Sequence, residues 1–304
     1  MLFGYEENVE GISFQLPEDS SFTKEILQGG KKITTPTFYI GGPVWSSKDY
    51  IGKLYPPKTK PTEFLAAYAK QLNSIEGNVT RRGLPDITTI ENWKAATPID
   101  FKFSLKIPEA ISNRRLNSDI VYEELDKYMK VIERLGSRAG TSFLLLPHYF
   151  SYKQIENLFY FLERIPKELD LAIEQRNPIV MADKDYLKAL SDKNISHIIT
   201  DTPGRRDCLH SNLTNNKVYI RFSGANGHKT DGLRFEQWAK KFKLWADLGV
   251  EDFYFFIHQP NTNRGILVDS IVALQKAILH HIPLAKLKTP VDHSKKEERQ
   301  QGLF

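Results

Sequence analysis

A strand–helix–strand pattern spans residues 38–78, which read FYIGGPVWSSKDYIGKLYPPKTKPTEFLAAYAKQLNSIEGN. Thr37–Ile40 is a β-branched and aromatic run that ends at a Gly-Gly pair, and this predicts a buried strand. After an aromatic-rich loop, Pro61 suits the first turn of a helix, and Ser74–Asn78 predicts a second short strand. Because a crossover helix makes the strands that it joins parallel, the segment predicts a parallel β-α-β unit.

The same alternation continues along the chain. Further strands are predicted at Phe101–Lys106, Ser142–Leu146, Leu169–Glu174, His197–Asp201, Val218–Phe222 and Asp252–Ile257. Eight strands alternating with helices over about 245 residues are typical of a closed eight-fold β/α barrel of the TIM type with parallel strands. An open doubly wound sheet is the alternative, but Gly41-Gly42-Pro43 does not match the glycine pattern of a dinucleotide-binding turn. The sequence therefore predicts the α/β barrel.

Three regions are predicted from composition. Residues 1–32 are polar and weakly periodic, and we expect an N-terminal extension there. Residues 33–284 carry the strand–helix alternation and are expected to form the single barrel domain. Residues 285–304 are expected to be a charged, flexible tail.

Composition limits the class of protein. The chain has 304 residues, of which 40% are hydrophobic, and this is typical of a globular protein. The lone Cys208 excludes an internal disulfide, and no apolar run approaches the ~20 residues of a membrane span. We therefore expect a cytoplasmic protein with no membrane partner. The net charge of +5 permits an anionic partner without requiring one, and the oligomeric state is left open.

Several motifs at the predicted strand ends occur in a specific order. They lie at Gly41–Trp45 with Tyr50, Tyr55–Pro57, Glu76 to Thr80, Leu84-Pro85, Phe101–Pro108, Ile173–Pro178, Thr200–Asp207, Val218–Phe222 and the F-I-H-Q-P end of the last strand. With these motifs the chain resembles the YecE-like proteins, the family also called domain of unknown function 72, over roughly Thr37 to Leu279. The resemblance implies the barrel fold and supplies no reaction.

The chain departs from the common form of that family at five places. They are Arg81-Arg82 in place of an aromatic pair, Ser112-Asn113 in place of Thr-His, Leu145 in place of glutamine, Asn177 in place of histidine, and His258-Gln259 in place of an asparagine pair. Several of these positions fall at the expected site. The departures therefore imply either a different substrate or a loss of catalysis.

Active sites of β/α barrels lie at the C-terminal edge, where the strands finish and the following loops begin. The residues expected at this edge are Trp45, Glu76, Asn78, Lys106, His148, Glu174, Arg176, Asp201, Arg205, Arg206, Arg221 and His258. Glu174, Asp201, Glu76 and Lys106 are the candidate catalytic residues. The candidate ligand-binding residues are Trp45, Tyr50, Asn78, Arg176, Arg205, Arg206, Arg221 and His258.

The three acids have alternative interpretations. They could act as general acid and base, or hold a divalent metal together with His258. Alternatively, they form buried ion pairs, with Glu174 on Arg176 or Arg221 and Glu76 on Lys106. No H-E-x-x-H or comparable ligand spacing occurs, so the sequence assigns no metal ligands and leaves the cofactor open.

Arg205-Arg206 follows Pro203-Gly204, and this pattern predicts a phosphate grip at the start of a short helix. The alternative is that these arginines bond Asp201 or Asp207. Five aromatic residues could stack a sugar or a base, or simply close the small cores of their own loops: Trp45, Tyr50, Tyr55, Tyr149 and Phe150.

These residues predict an enzyme-like site for a phosphorylated or otherwise anionic ligand, with hydrolase or lyase chemistry. An anionic small molecule and a nucleic-acid backbone are the candidate partners. The alternative is a non-catalytic binding protein whose site has drifted.

Overall fold

The computed structural model describes residues 3–259 and 265–294. Within these ranges the fold is α/β, with every paired strand parallel to its neighbour. The strands are β1 (Thr37–Gly41), β2 (Ser74–Gly77), β3 (Lys102–Leu105), β4 (Ser142–Leu145), β5 (Leu171–Glu174), β6 (Ser196–His197), β7 (Ile199–Asp201), β8 (Lys217–Ser223) and β9 (Asp252–His258).

Helices precede, follow and join these strands. The α-helices are α1 (Ser21–Ile26), α2 (Phe64–Gln71), α3 (Ile87–Ala96), α4 (Glu109–Ser112), α5 (Asp119–Leu135), α6 (Ile155–Arg164), α7 (Pro178–Met181), α8 (Lys184–Asp192), α9 (Lys229–Asp247) and α10 (Gly265–His281). Short 3₁₀ turns occur at Lys48–Tyr50, Pro61–Glu63, Gly136–Arg138, Tyr152–Gln154 and Arg206–Cys208. None of the described helices is long and apolar enough to cross a membrane.

The prediction of a closed eight-stranded barrel is wrong. The strands form three separate sheets, with the orders β1-β9-β8-β7, β2-β3 and β4-β5-β6. Across the described parts of the chain, no backbone ladder joins these sheets into one closed barrel. The parallel direction of the strands and the alternation with helices, however, are as predicted.

Side chains take the place of the ladder between β1 and β2. The Asn73 side chain accepts a hydrogen bond from Ile40 N at 3.1 Å and donates one to Phe38 O at 2.7 Å. The Tyr68 hydroxyl likewise bonds Gly42 N and Ser74 O. The two strands of the predicted β-α-β unit are therefore neighbours that share no strand ladder.

The other two gaps have comparable causes. Between β3 and β4 only isolated bridges form, and the Tyr128 hydroxyl donates to Leu105 O at 3.0 Å. The predicted strand His197–Asp201 is split, because its first part pairs with β5 and its second part with β8. At the split, His197 N donates to Thr214 Oγ1 at 3.0 Å.

Helix α9 has an apolar face. Phe235, Trp238, Phe242 and Trp245 are all buried. They pack with aromatic residues of β1 and β9, where Phe38 and Phe253 stack with ring centroids 4.7 Å apart. This packing fixes the position of β8 and β9, whose C-terminal residues belong to the candidate site.

The N-terminal region contains an element that the sequence pattern did not indicate. Helix α1 begins after Ser20, whose hydroxyl accepts from Thr23 N. Asp19 forms an ion pair with Lys241 at 2.8 Å and accepts from Trp245 Nε1 at 3.1 Å, so this region packs on α9. At the other end of the chain, Lys286 N donates to Pro36 O at 2.8 Å. The rest of the predicted tail, residues 295–304, lies outside the described residues.

Candidate functional site

Arg221 connects the C-terminal ends of the three sheets. It lies on β8 and donates to both carboxylate oxygens of Glu76, at the end of β2, at 2.9 Å each. It also donates to Glu174, the last residue of β5. His258, the last residue of β9, has its Nε2 3.1 Å from Glu76 Oε1. Four sequence-predicted site residues thus meet in one buried charge cluster.

The electrostatics of this cluster favour the charged forms. Burial opposes ionisation of Glu76, but Arg221 and His258 outweigh it and hold the pKa of that carboxyl below its usual range. Burial also opposes ionisation of Glu174, and there Arg221 and Arg176 outweigh it and lower the pKa. Both side chains are fully buried. At neutral pH they are therefore ionised, paired and closed to solvent.

Asp201, the last residue of β7, belongs to a second buried cluster. It pairs with Arg206, with Arg234 at 2.8 Å, and with Trp238 Nε1 at 2.8 Å. Burial opposes its ionisation, but Arg234 and Arg206 lower the pKa of the carboxyl. Arg234 and Trp238 were missed at the sequence level. Their spacing of four on α9 puts both on the buried face, and an arginine on that face is a signal that could have identified them.

Lys106 follows β3 and has a different environment. Its side chain is 9% exposed, and its only ion pair in the described chain joins Nζ to Glu109 Oε1 at 3.4 Å. The same Glu109 oxygen accepts from Arg81 Nε at 2.6 Å. Burial lowers the pKa of Lys106, and the charges of Arg81 and Arg221 act in the same direction. Two cations therefore share one carboxylate.

The predicted phosphate grip consists of arginines that already have acidic partners. Arg205 donates to both oxygens of Asp207 at 2.8 and 2.7 Å, and Arg206 pairs with Asp201. Arg176 pairs with Glu174. The local geometry thus matches the alternative in which these arginines bond nearby acids.

Residues before α1 cover this part of the edge. The Phe3 ring centroid lies 3.9 Å from the Arg176 guanidinium carbon and 5.3 Å from that of Arg205. The Phe14 centroid lies 5.2 Å from that of Arg206. Gly204 N donates to Gly4 O at 2.8 Å. Segment 3–15 is therefore a cover over the loops that follow β5 and β7.

Replacing Phe3 with alanine should lower the free energy of unfolding by about 1 kcal/mol, because a half-buried ring over a guanidinium is worth roughly that amount. Urea unfolding of the variant beside wild type measures the change. Phe3→Leu keeps apolar contact without the π face and should recover only part of the loss. Equal stability of the leucine variant and wild type would contradict a cation–π contribution at Arg176.

The aromatic residues expected to bind a ligand, Trp45 and Tyr50, pack against other aromatic side chains. Tyr50 is buried and packs edge-on against Tyr55, whose hydroxyl donates to Trp45 O. Trp45 packs edge-on against Trp93. Asn78, after β2, is half-buried, and its backbone oxygen accepts from a backbone N–H. Trp45 and Tyr50 therefore pack against other aromatic rings.

The acids at this edge do not fit a divalent metal. The Arg221 guanidinium lies between Glu76 and Glu174 and already bonds their oxygens. Among the residues that the structure describes, three metal-ligating side chains lie within 4.8 Å of one another only at Glu236, His280 and His281. That surface group is on α9 and α10.

These features define the class: an α/β protein of parallel strands whose strand-end charges meet at the C-terminal edge. The chain belongs to the family described as Protein of unknown function DUF72, which matches residues 39–287. The family resemblance predicted from the motifs is confirmed. Phe3 and Phe14 lie outside the matched range.

Two curated relatives are the proteins called UPF0759 protein YecE in Escherichia coli strains K12 and O157:H7. Each is 27% identical over 248 residues, covering 73% of this chain and 86% of the relative. Solved structures of DUF72 family proteins are also similar. That from Thermotoga maritima has a TM-score of 0.60 at 23% identity, covering 80% of this chain and 99% of its own. One from Enterococcus faecalis has a TM-score of 0.58 at 19% identity, covering 79% and 95%.

Proposed function

We propose that the C-terminal edge binds a phosphorylated or otherwise anionic ligand at Lys106 and acts on it as a hydrolase or lyase. The observation that carries the proposal is the uncompensated charge at this position. Lys106 and Arg81 share the single carboxylate of Glu109. An anion bound at Nζ would supply the missing charge in a place where burial strengthens the attraction.

The chemistry follows from the state of Lys106. A lysine whose pKa is lowered by burial gives up its proton more readily than a solvated lysine, which suits a general acid or base. A desolvated lysine beside other cations also suits imine formation with a carbonyl substrate, which is a lyase-type route. In this proposal Glu76, Glu174 and Asp201 keep their ionised, buried state. The role of Glu76 and Glu174 is then to hold Arg221, whose charge acts on Lys106, in position near the ligand.

A second candidate is binding without turnover. It is favoured by the complete burial of Glu76, Glu174 and Asp201, which keeps three of the four candidate catalytic groups away from solvent. Lys106→Arg separates the two candidates, because arginine keeps the charge but does not release a proton at working pH. An enzyme of the proposed type would keep its ligand and lose turnover in this variant.

The test is thermal unfolding with and without inorganic phosphate and a panel of sugar phosphates. A ligand at about 100 times its dissociation constant adds about 2.7 kcal/mol, which raises the unfolding midpoint by a few degrees. We expect this shift in wild type and its loss in Lys106→Met. The matched control is Lys102→Met, which removes a lysine from the other end of β3, where Nζ donates to Ser137 O.

Two results would contradict the proposal. One is that no ligand of the panel raises the unfolding midpoint of wild type or of Lys102→Met. The other is a shift that survives in Lys106→Met, which would place the anion elsewhere.

A further inference from the structure

Two loops at the C-terminal edge bring four arginines together. Arg81 and Arg82 follow β2, and Arg114 and Arg115 follow β3. A cavity of about 520 Å³ is lined by the first three of them, and an adjoining cavity of about 220 Å³ by Arg114, Arg115 and Tyr149. The cavities share Asn113 and Arg114, so they form one continuous groove. We call it the arginine groove, defined by Arg81, Arg82, Asn113, Arg114, Arg115 and Tyr149.

The charge of the arginine groove is not compensated. Arg82, Arg114 and Arg115 are exposed, and within the described chain their guanidinium groups form no ion pair or hydrogen bond. The two acids in the lining are already engaged. Glu109 pairs with Arg81 and Lys106, and Glu124 pairs with Lys127 at 2.7 Å. This separates Arg82, Arg114 and Arg115 from the arginines near Phe3, each of which has an acidic partner.

The groove also has an aromatic end. Tyr149, in the loop after β4, is 59% exposed, so much of its ring is open to solvent. His148 packs against it at a centroid distance of 5.4 Å, edge to face, and leaves a partly supported aromatic platform. Cations in a row beside an open aromatic ring are the features that bind unpaired nucleotides, with phosphates on the cations and a base on the ring.

We propose that the arginine groove binds the backbone of a single-stranded nucleic acid. A guanidinium group can donate two parallel hydrogen bonds to two oxygens of one phosphate. The guanidinium groups of Arg82, Arg114 and Arg115 are available for such bonds. A single strand fits better than a duplex because its bases are available to stack on Tyr149, whereas those of a duplex are covered by their neighbours. This inference goes beyond the Lys106 proposal and does not depend on it.

The test is fluorescence anisotropy with labelled oligonucleotides of about 12 units, a length close to the sites of known single-strand binders. The probes are oligo-dT, oligo-U and a duplex of the same length, each titrated between about 50 and 200 mM salt. We expect wild type to bind the single strands in preference to the duplex. The oligo-dT and oligo-U arms separate DNA from RNA as the source of the backbone.

The variant that tests the groove is Arg82→Gln with Arg114→Gln and Arg115→Gln. Removing three phosphate contacts should weaken binding at least tenfold at low salt. It should also make the slope of log K against log salt less negative by about 2, since each contact to a single strand contributes about 0.7. Tyr149→Ala should weaken binding several-fold, and Tyr149→Phe should restore it, because phenylalanine keeps the stacking face.

The control variant combines Lys31→Gln, Lys70→Gln and Lys240→Gln. These substitutions remove three positive charges from exposed lysines outside the groove, the same number as in the groove variant. The control variant should bind as wild type does. Three outcomes would overturn the inference: no single-strand binding at low salt, equal loss in the control, or preference for the duplex. The Lys106 site is tested with phosphate and sugar phosphates in thermal unfolding, whereas the groove is tested with oligonucleotides in anisotropy, so failure of the groove and failure of the Lys106 site give different results.

Discussion

Replacing Arg221 with methionine is expected to lower the free energy of unfolding by about 3 to 5 kcal/mol. The reason is the position of Arg221 between two fully buried carboxylates, Glu76 and Glu174. Without the guanidinium, both charges stay in the interior with weaker compensation. The measurement is urea unfolding at neutral pH, with midpoint and slope compared between variant and wild type.

The pH dependence of this variant has a predictable sign. Without Arg221, burial should raise the pKa values of Glu76 and Glu174 above those in the unfolded chain. The folded variant then binds more protons than the unfolded variant, so a lower pH favours its folded state. The deficit of Arg221→Met should therefore be smaller near pH 5 than near pH 7.5. Adding Glu76→Gln and Glu174→Gln removes the unpaired charges, and this triple variant should be more stable than Arg221→Met alone.

The matched control is Arg134→Met. Arg134 pairs with Glu91 at 2.8 Å, but both side chains are more than 40% exposed. Exposed pairs contribute about 0 to 1 kcal/mol, so the control should change little. A deficit in Arg221→Met no larger than that of Arg134→Met would show that solvent reaches Glu76 and Glu174 and stabilises them without an arginine.

The sequence predicted the strands better than it predicted their pairing. Runs such as Asp252–Ile257 and Val218–Phe222 are apolar because they are buried, so their positions agree with β9 and β8 within a residue or two. Closure into one barrel requires ladder pairing between the three sheets, and the periodicity of a single segment does not specify which strands pair. Closure was prevented locally by side chains such as Asn73 and Tyr68, which bond backbone groups that a ladder would use.

The sequence predicted that the charged residues lie together at one edge of the fold. It did not predict which acid pairs with which cation. Glu76, Glu174 and Arg221 were expected together because strands of one direction finish at one edge. Which acid pairs with which cation depends on distances between elements far apart in the chain, so Glu76 meets Arg221 and not Lys106. The cover by Phe3 was beyond prediction, because an isolated aromatic in a polar segment has no periodicity to mark its contact.

The second large effect expected is a loss of stability as the pH falls, and it arises from a pair of buried histidines. His197 and His210 stack with ring centroids 4.0 Å apart, and both are buried. The His210 ring accepts from Asn212 N at 3.1 Å, and its other nitrogen lies 3.1 Å from Ile198 O. Within the described residues, neither ring nitrogen of His197 has a hydrogen-bond partner. Glu174 is the charged group that acts on His210, and the Tyr186 ring packs edge-on against His197.

Burial lowers the pKa of His210 from 6.5 to about 4, partly opposed by the Ile198 carbonyl and Glu174. Burial and the neighbouring His210 also lower the pKa of His197 well below 6.5. Below pH 6.5 the unfolded chain therefore binds protons that the folded chain rejects, and stability falls as the pH falls. For His210 the loss is about 2 kcal/mol near pH 5 and levels off near pH 4.

The window between about pH 6.5 and 5 lies above the range in which the carboxylates with lowered pKa values lose their contribution. Burial raises the pKa values of Asp231 and Asp252, and these two carboxyls contribute equally in every variant compared. His258, whose pKa is also lowered by burial, contributes in the same direction in every variant that keeps it. The comparison must therefore be made between variants. The quantity to compare is the difference in unfolding free energy between the two ends of this window.

His210→Asn is the informative variant, since the asparagine oxygen can still accept from Asn212 N while the titrating ring is lost. Loss of the bond to Ile198 O lowers its stability at every pH, but the difference across the window should shrink by about 2 kcal/mol. His197→Phe keeps a stacking ring without unpaired nitrogens, so it should be no less stable near pH 7.5 and less sensitive to acid. The control, His148→Asn, changes an exposed histidine and should keep the wild-type difference. If His210→Asn also keeps that difference, the acid sensitivity does not arise from the buried pair.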